Sequence, residues 1–297
     1  MESFERFLAP AKLNLFLHVV GRRPDGYHLL QSVFCLIDLY DSIYIDSRSD
    51  GKIVRVKEIA GVHEADDLCV KAAWLLKTHT GSAYGASIAV EKCIPLGGGL
   101  GGGSSDAATV LIALNKLWNT KLSRKELMEL GLKLGADVPF FIFGKNAWVE
   151  GIGEKISPIS LSPSYYVLAT PQINISTQQV FSSEELTRNT IPTTIAAFSE
   201  LQIGNCVKND TFHNDLERVV SKQYPAVENC ISYLKRYGAA RMSGSGATAF
   251  VKIDTLDEAI GIKANLPTEF SSIPVFSYLA RGLNEHPLYN LIAEEQV

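Results

Sequence analysis

A surplus of positive charge is missing from this chain of 297 residues: 28 lysines and arginines face 32 aspartates and glutamates, for a formal charge of -4. Binding to a phosphate backbone needs a basic excess, so nucleic acid is excluded as the main partner. Long apolar runs are missing too. Nowhere do about 18 apolar residues follow one another, the length a membrane-spanning helix needs. The N-terminal Met1-Glu2-Ser3-Phe4-Glu5-Arg6 has no basic segment leading into an apolar core, so neither secretion nor a membrane partner is expected. Cysteine is sparse: Cys35, Cys69, Cys93, Cys206 and Cys230 are scattered, odd in number and include no C-x-x-C pair. That usage fits reduced thiols in a cytoplasmic protein without a zinc site.

Hydrophobic residues make up 46% and charged residues 20%, enough for one large domain or two ordinary ones. Residues 9–20 alternate, with Leu13, Leu15, Leu17 and Val19 opposite Lys12, Asn14, Phe16 and His18, which predicts a half-buried strand. A period of two puts Lys12 and Asn14 on one face. That face is either solvated or the wall of a site. The turn Gly21-Arg22-Arg23-Pro24-Asp25-Gly26 leads into the apolar runs 33–37 and 42–45, and residues 66–79 and 87–91 read as helix and strand. A helix capped by Ser104 or Ser105 follows, with Ala107, Val110, Leu111, Leu114 and Leu117 on its apolar stripe. Ser123 and Glu126 form a capping box for the next helix, which Gly135 is expected to end, with Asp137 just beyond. A domain boundary is expected near residue 160, separating 1–160 from 161–297. Beyond a polar stretch at 172–204, the chain reads as helix at about 213–236, strand at 248–253, helix at 255–266 under a Thr255/Glu258 capping box, and strand at 275–280. The whole is an α+β pattern.

The strongest local signal is Pro95-Leu96-Gly97-Gly98-Gly99-Leu100-Gly101-Gly102-Gly103-Ser104-Ser105-Asp106. It joins a strand directly to a helix, unlike a Gly/Ser linker between domains. Glycines let backbone N–H groups close on an anion, and the helix start adds roughly +0.5 charge. Gly97, Gly99 and Gly102 match G-x-G-x-x-G, but no acid or strand follows within the distance a dinucleotide site requires. A Walker A loop needs a lysine after its last glycine, where this chain has Ser104. The His-Arg-Asp and Asp-Phe-Gly tripeptides of protein kinases do not occur.

Together with Arg241-Met242-Ser243-Gly244-Ser245-Gly246-Ala247-Thr248 and Pro10-Ala11-Lys12-Leu13-Asn14-Leu15, the glycine loop resembles the three motifs of the galactokinase, homoserine kinase, mevalonate kinase and phosphomevalonate kinase superfamily. Within it, Pro24-Asp25-Gly26-Tyr27-His28, Gly135-Ala136-Asp137-Val138-Pro139-Phe140 and His213-Asn214-Asp215-Leu216 resemble the 4-diphosphocytidyl-2-C-methyl-D-erythritol kinase family. The matches run in that family's order from residue 9 to about 250.

The resemblance implies an N-terminal domain similar to ribosomal protein S5 domain 2 and a ferredoxin-like C-terminal domain. It implies transfer of the γ-phosphoryl group of ATP, with Mg²⁺, to the 2-hydroxyl of a cytidine diphosphate-linked methylerythritol, by a monomer or homodimer. Such transfer is mainly positioning and charge neutralisation. Pro95, Leu96, Gly97 to Gly103, Ser104 and Ser105 would cradle ATP, Lys12 would supply the cation, and Asp137 would accept the hydroxyl proton. Tyr27 and Phe181 would sandwich the cytosine and His28 would bond its edge, with Asn14, Ser243 and Gly244 completing the substrate site. Read alone, Asp137 suits a turn cap, Tyr27-His28 a strand start, Phe181 a small core contact, and Ser243-Gly244 a tight turn. No metal ligand stands out, and Asp106 occupies a position where the family often has a neutral residue.

Overall fold

The computed structural model describes residues 4–203 and 211–292; Cys206, Met1 to Ser3 and residue 204 of the polar stretch lie outside them. In chain order the elements are β1 (Glu5–Arg22), β2 (His28–Arg48), β3 (Ile53–Arg55), α1 (Leu68–Thr80), β4 (Gly85–Glu91), α2 (Gly102–Leu117), α3 (Arg124–Leu132), α4 (Val138–Phe143), β5 (Ala147–Gly151) and β6 (Lys155–Pro158). There follow β7 (Tyr165–Pro171), α5 (Thr177–Ser182), α6 (Ile195–Ile203), α7 (Glu217–Gln223), α8 (Pro225–Leu234), β8 (Arg241–Met242), β9 (Ala249–Ile253), α9 (Leu256–Ala264), β10 (Glu269–Phe270) and β11 (Ile273–Arg281).

The long β2 organises the first sheet. Its early residues Leu30 to Phe34 pair with β5 and its late residues Ser42 to Arg48 pair with β4, while β1 runs antiparallel along its other side. The α2 helix carries Ala107 to Leu114 into a core shared with Phe140, Phe141, Ile43 and Ile88. The second sheet, ordered β10-β11-β7-β9-β8, is antiparallel throughout. On one side its Val167, Ala169 and Val251 join Val227, Cys230 and Ile231 of α8. On the other, Tyr166, Leu168 and Phe250 meet Ala11, Leu13 and Cys35 of β1 and β2, together with Ile94 and Leu100 of the glycine loop. The chain end returns to the first core, where Leu288 and Ile292 are buried.

The alternation in β1 marks two buried faces. Phe16 and His18 are as buried as Leu13 and Val19, whereas Leu15 is half-buried, because the register with β2 shifts between Asn14 and Leu17 and Phe16 turns from the face of Lys12 and Asn14 into a cluster with Trp148, Phe198 and Phe212. Other boundaries shift for local reasons. Gly101, not Ser104 or Ser105, stands at the start of α2 and provides no side-chain cap. The Ser123/Glu126 box is formed, but α3 ends at Leu132, before Gly135. Thr255 precedes α9 without capping it through its side chain. The helix expected at 213–236 is two helices, because Pro225 forces Tyr224 out of helical geometry.

Burial also sets an acid limit. His18 is pushed down to about 4, chiefly by desolvation and then by His213, and His286 to about 3, by desolvation and then Arg124. Both stay neutral in the fold but take up a proton near pH 6.5 once unfolded, so stability falls as pH drops from about 6.5 towards 4. Urea unfolding is expected to show this loss, and His18→Gln to flatten it; an unchanged slope in the variant refutes the assignment.

Candidate active site

Two loops and one strand deliver the charged centre. Lys12, 3% exposed, projects from β1, where its backbone N–H bonds to Leu100 O of the glycine loop at 2.9 Å. Its Nζ donates to Asn14 Oδ1, lies 3.4 Å from Asp137 Oδ2 and sits 4.6 Å above the Phe34 ring. Asn14, 1% exposed, is fixed from its other side by donating through Nδ2 to Ser32 Oγ at 3.0 Å. Asp137 stands at the start of α4 but makes no capping bond. Its carboxylate turns instead to Lys12. The solvated-face and turn-cap readings of these three residues are thereby overturned.

The glycine loop packs by backbone contact. Gly97, Gly99 and Gly101 all have positive φ. A Cβ on Gly99 would come within 2.1 Å of Ser243 O, and one on Gly101 within 2.9 Å of Phe141 Cζ. Because Gly101 offers no side chain to the first N–H groups of α2, that helix start is uncapped where Gly101 and Ser104 face a cavity of about 920 Å³. Free N–H groups and the helix dipole suit such a start to an anion.

Lys12, Asn14, Asp137, Tyr27, His28, Phe181, Gly97, Gly99 and Gly244 line the same cavity. Others of the expected set stand behind it. Leu100 and Ser105 are fully buried and Leu96 points largely to solvent, while Pro95, Gly98, Gly102 and Gly103 support the loop from outside the lining. Ser243 is buried as a stitch: its Oγ accepts from Asn14 N at 3.2 Å and donates to Gly99 O at 2.9 Å. Asn214 holds the same turn by donating to Met242 O and Gly244 O at 2.8 and 2.7 Å.

The aromatic wall differs from a Tyr27–Phe181 pair. Tyr27 is 61% exposed at the mouth, and the ring packed on Phe181 is that of His28, with centroids 5.1 Å apart. Phe181 also borders the second core. Arg22, Ser32, Thr177 and Arg188, which the sequence alone does not single out for the site, line the cavity as well, together with Ser245 of the third motif. Arg188 had one available signal, being the sole basic residue in the stretch 172–204. Thr177, whose hydroxyl lies 2.7 Å from that of Ser245, has none.

Asp106 is turned away from the cavity. Lys92 Nζ bridges it, at 2.7 Å, to the buried Asp41, whose other oxygen accepts from Cys93 N and Ile94 N. Desolvation pushes the Asp106 carboxyl up to about 7, with Lys92 opposing. Among the described residues no cluster of three His, Cys, Asp or Glu side chains stands ready for a metal.

Comparison with known proteins gives a consistent picture. Residues 67–145 match the model of the GHMP kinases N terminal domain and residues 195–272 that of the GHMP kinases C terminal. A 4-diphosphocytidyl-2-C-methyl-D-erythritol kinase of Burkholderia ambifaria (strain MC40-6) is 50% identical over 288 residues, 97% of each chain. One of the same name from Ralstonia nicotianae is 50% identical over 281 residues, 94% of each. A crystal structure of 4-(cytidine 5'-diphospho)-2C-methyl-D-erythritol kinase superposes with a TM-score of 0.80 at 30% identity, covering 94% of this chain and all of that one.

Two glycines of the loop are expected to respond oppositely to alanine. Gly99→Ala collides with Ser243 O, whereas at Gly103 the nearest atom to a new Cβ is Leu68 Cδ1 at 3.6 Å. Thermal unfolding should show Gly99→Ala strongly destabilised and Gly103→Ala stabilised by about 0.5–1 kcal/mol through helix propensity. Equal melting points would refute the packing described for the loop.

Proposed function

The chain belongs to the 4-diphosphocytidyl-2-C-methyl-D-erythritol kinases of the GHMP kinase family, and from that premise we propose how its cavity divides the work. It has the two-domain α+β fold of that family and catalyses ATP-dependent phosphorylation of the 2-hydroxyl of 4-diphosphocytidyl-2-C-methyl-D-erythritol. The products are the 2-phosphate and ADP, in the non-mevalonate route to isoprenoid precursors.

The roles of individual residues rest on one observation: the buried Lys12 paired with the half-buried Asp137 beside an uncapped helix start, in one cavity. Asp137 takes the proton of the 2-hydroxyl as that oxygen attacks the γ-phosphorus. The bond from phosphorus to the β,γ-bridging oxygen breaks, and its electron pair leaves with ADP. Lys12 has three N–H donors; two face Asn14 and Asp137, which leaves one for the phosphoryl oxygen or the incipient alkoxide. The N–H groups at Gly97 to Ser105 hold the ATP phosphates, and Asn14 and Gly244 bound the acceptor. Phe181, His28 and Tyr27 offer the cytosine two faces and an edge.

Mg²⁺ fits a site with few protein ligands, resting mainly on phosphate oxygens and waters. Ser104 and Asp137 are the oxygen-bearing side chains of this chain that would adjoin it, and it would neutralise phosphate charge. A division between residues 1–160 and 161–297 is supported by the change of sheet between Pro158 and Tyr165. A cytoplasmic monomer or homodimer without nucleic-acid partners agrees with the charge of -4 and the free thiols Cys35, Cys69, Cys93 and Cys230.

ADP release with Mg-ATP is expected only with the cytidylyl substrate, not with homoserine or mevalonate. Asp137→Asn should lower kcat by about 10²- to 10⁴-fold with little change in KM for ATP; near-normal turnover removes Asp137 from the base role. Phe181→Ala should raise KM for the cytidylyl substrate by about tenfold or more, as the loss of one stacking face predicts. An equal rise for ATP would reject stacking.

A further inference from the structure

Arg188 is held on four sides at the cavity wall. Its Nε donates to His28 Nε2 at 3.1 Å, its Nη2 to the carbonyls of Phe181 and Ser183 at 3.2 and 2.6 Å, and its Nη1 to that of Leu186 at 3.2 Å. The carbonyls belong to α5 and the turn after it, whereas His28 opens β2. One planar fork therefore ties together two walls that are 160 residues apart in sequence.

The direction of the bond to His28 has a chemical consequence. A guanidinium cannot accept a hydrogen bond and does not give up its proton, so Nε2 carries the lone pair and the proton of the neutral ring sits on Nδ1. The ring is neutral because partial burial, then Arg188 and Arg22, lower its pKa. Nδ1 bonds to no protein group among the described residues, and the ring lines the cavity. A ligand therefore meets a donor and no acceptor at this edge.

We infer that Arg188 is a specificity-determining positioning residue: it fixes His28 as an Nδ1–H donor, so that the base edge placed there has to accept. This rests on reading the cavity as the cytidine site. Both bases present an acceptor at O2, but cytosine accepts at N3 where uracil carries N3–H, so Nδ1–H placed against N3 pairs with cytosine and opposes uracil. A donor left unpaired once the base covers it costs about ten- to a hundredfold in affinity. Nothing in the phosphate cradle distinguishes the two bases, and the Arg188–His28 pair supplies one contact that does.

The test uses the whole enzyme with Mg-ATP, the cytidylyl substrate and its uridylyl counterpart, alongside ¹⁵N shifts of the His28 ring. The wild type should show Nδ1 protonated and Nε2 bare, and should favour the cytidylyl substrate. Arg188→Met should lose that tautomeric bias and lower the cytidine-to-uridine ratio of kcat/KM about tenfold, with KM for ATP unchanged. Arg188→Lys, which keeps the charge without the fork, should also lower the ratio and serves if the methionine variant does not fold. A wild-type His28 protonated on Nε2 overturns the inference, and so does an unchanged ratio in a folded variant. A wild type that turns over both substrates alike overturns the cytidine reading as well, which separates the two failures.

Discussion

The outer edge of β1 is the constraint on which the site depends. Its inner edge is spent on β2, leaving a row of backbone N–H groups that would be costly to bury unpaired. Four of them are taken by three separate loops. Lys12 N bonds to Leu100 O of the glycine loop, Asn14 N to Ser243 Oγ of the turn before β9, and Leu17 N and Val19 N to His213 O and Asp215 Oδ2. Residues whose N–H groups leave a strand on the same side also send their side chains to the same face where the register is regular. The bonds that hang the loops on β1 therefore bring Lys12 and Asn14 to the place where those loops converge.

Burying that edge creates the charge problem that the chemistry uses. A lysine as enclosed as Lys12 needs partners, and its neighbours are one amide oxygen, one aromatic face and one carboxylate at 3.4 Å. The pair is incomplete for a closed interior and well suited to a cavity, because a phosphoryl oxygen can supply the remaining acceptor. Behind the loop, Lys92 with Asp41 and Asp106 solves the same problem without leaving an opening. There every charge is turned to protein, and the bonds from Cys93 N and Ile94 N to Asp41 fix where the glycine loop begins. One buried cation thus anchors and the other faces the cavity, where the proposed chemistry needs it; what separates them is access.

What the sequence made legible follows from the range of the interactions. The α2 stripe, the Ser123/Glu126 box and the glycine loop are local, and each appears where its spacing put it. The burial of Phe16 and His18 is hidden from a window of 12 residues because the register shift between Asn14 and Leu17 is made by pairing with β2 and the covering aromatics come from residues 148, 198 and 212. The start of α2 was misplaced because Ser104 and Ser105 are strong capping residues by type, while the close approach of Phe141 and Lys12 reserves the capping position for Gly101. Likewise, Arg188 and the Thr177–Ser245 contact are pairings across distant stretches of chain. Their residue types are ordinary, so periodicity carried no trace of them.

The cavity is built asymmetrically, and this bears on how such a fold keeps its reaction while its acceptor varies. On the phosphate side the contacts are backbone: three glycines in the left-handed region and a helix start without a side-chain cap. Substituting side chains there mostly produces collisions, as the 2.1 Å approach to Ser243 O at Gly99 shows. On the side proposed for the base the lining is side chains, Tyr27, His28, Phe181 and Arg188, carried by the β1–β2 turn, the start of β2 and the segment around α5. A new acceptor needs different side chains in those two segments and no change in the path of β1 or the glycine loop. On the proposed division of the cavity, the change from backbone to side-chain lining coincides with the change from the phosphoryl group transferred to the alcohol that receives it.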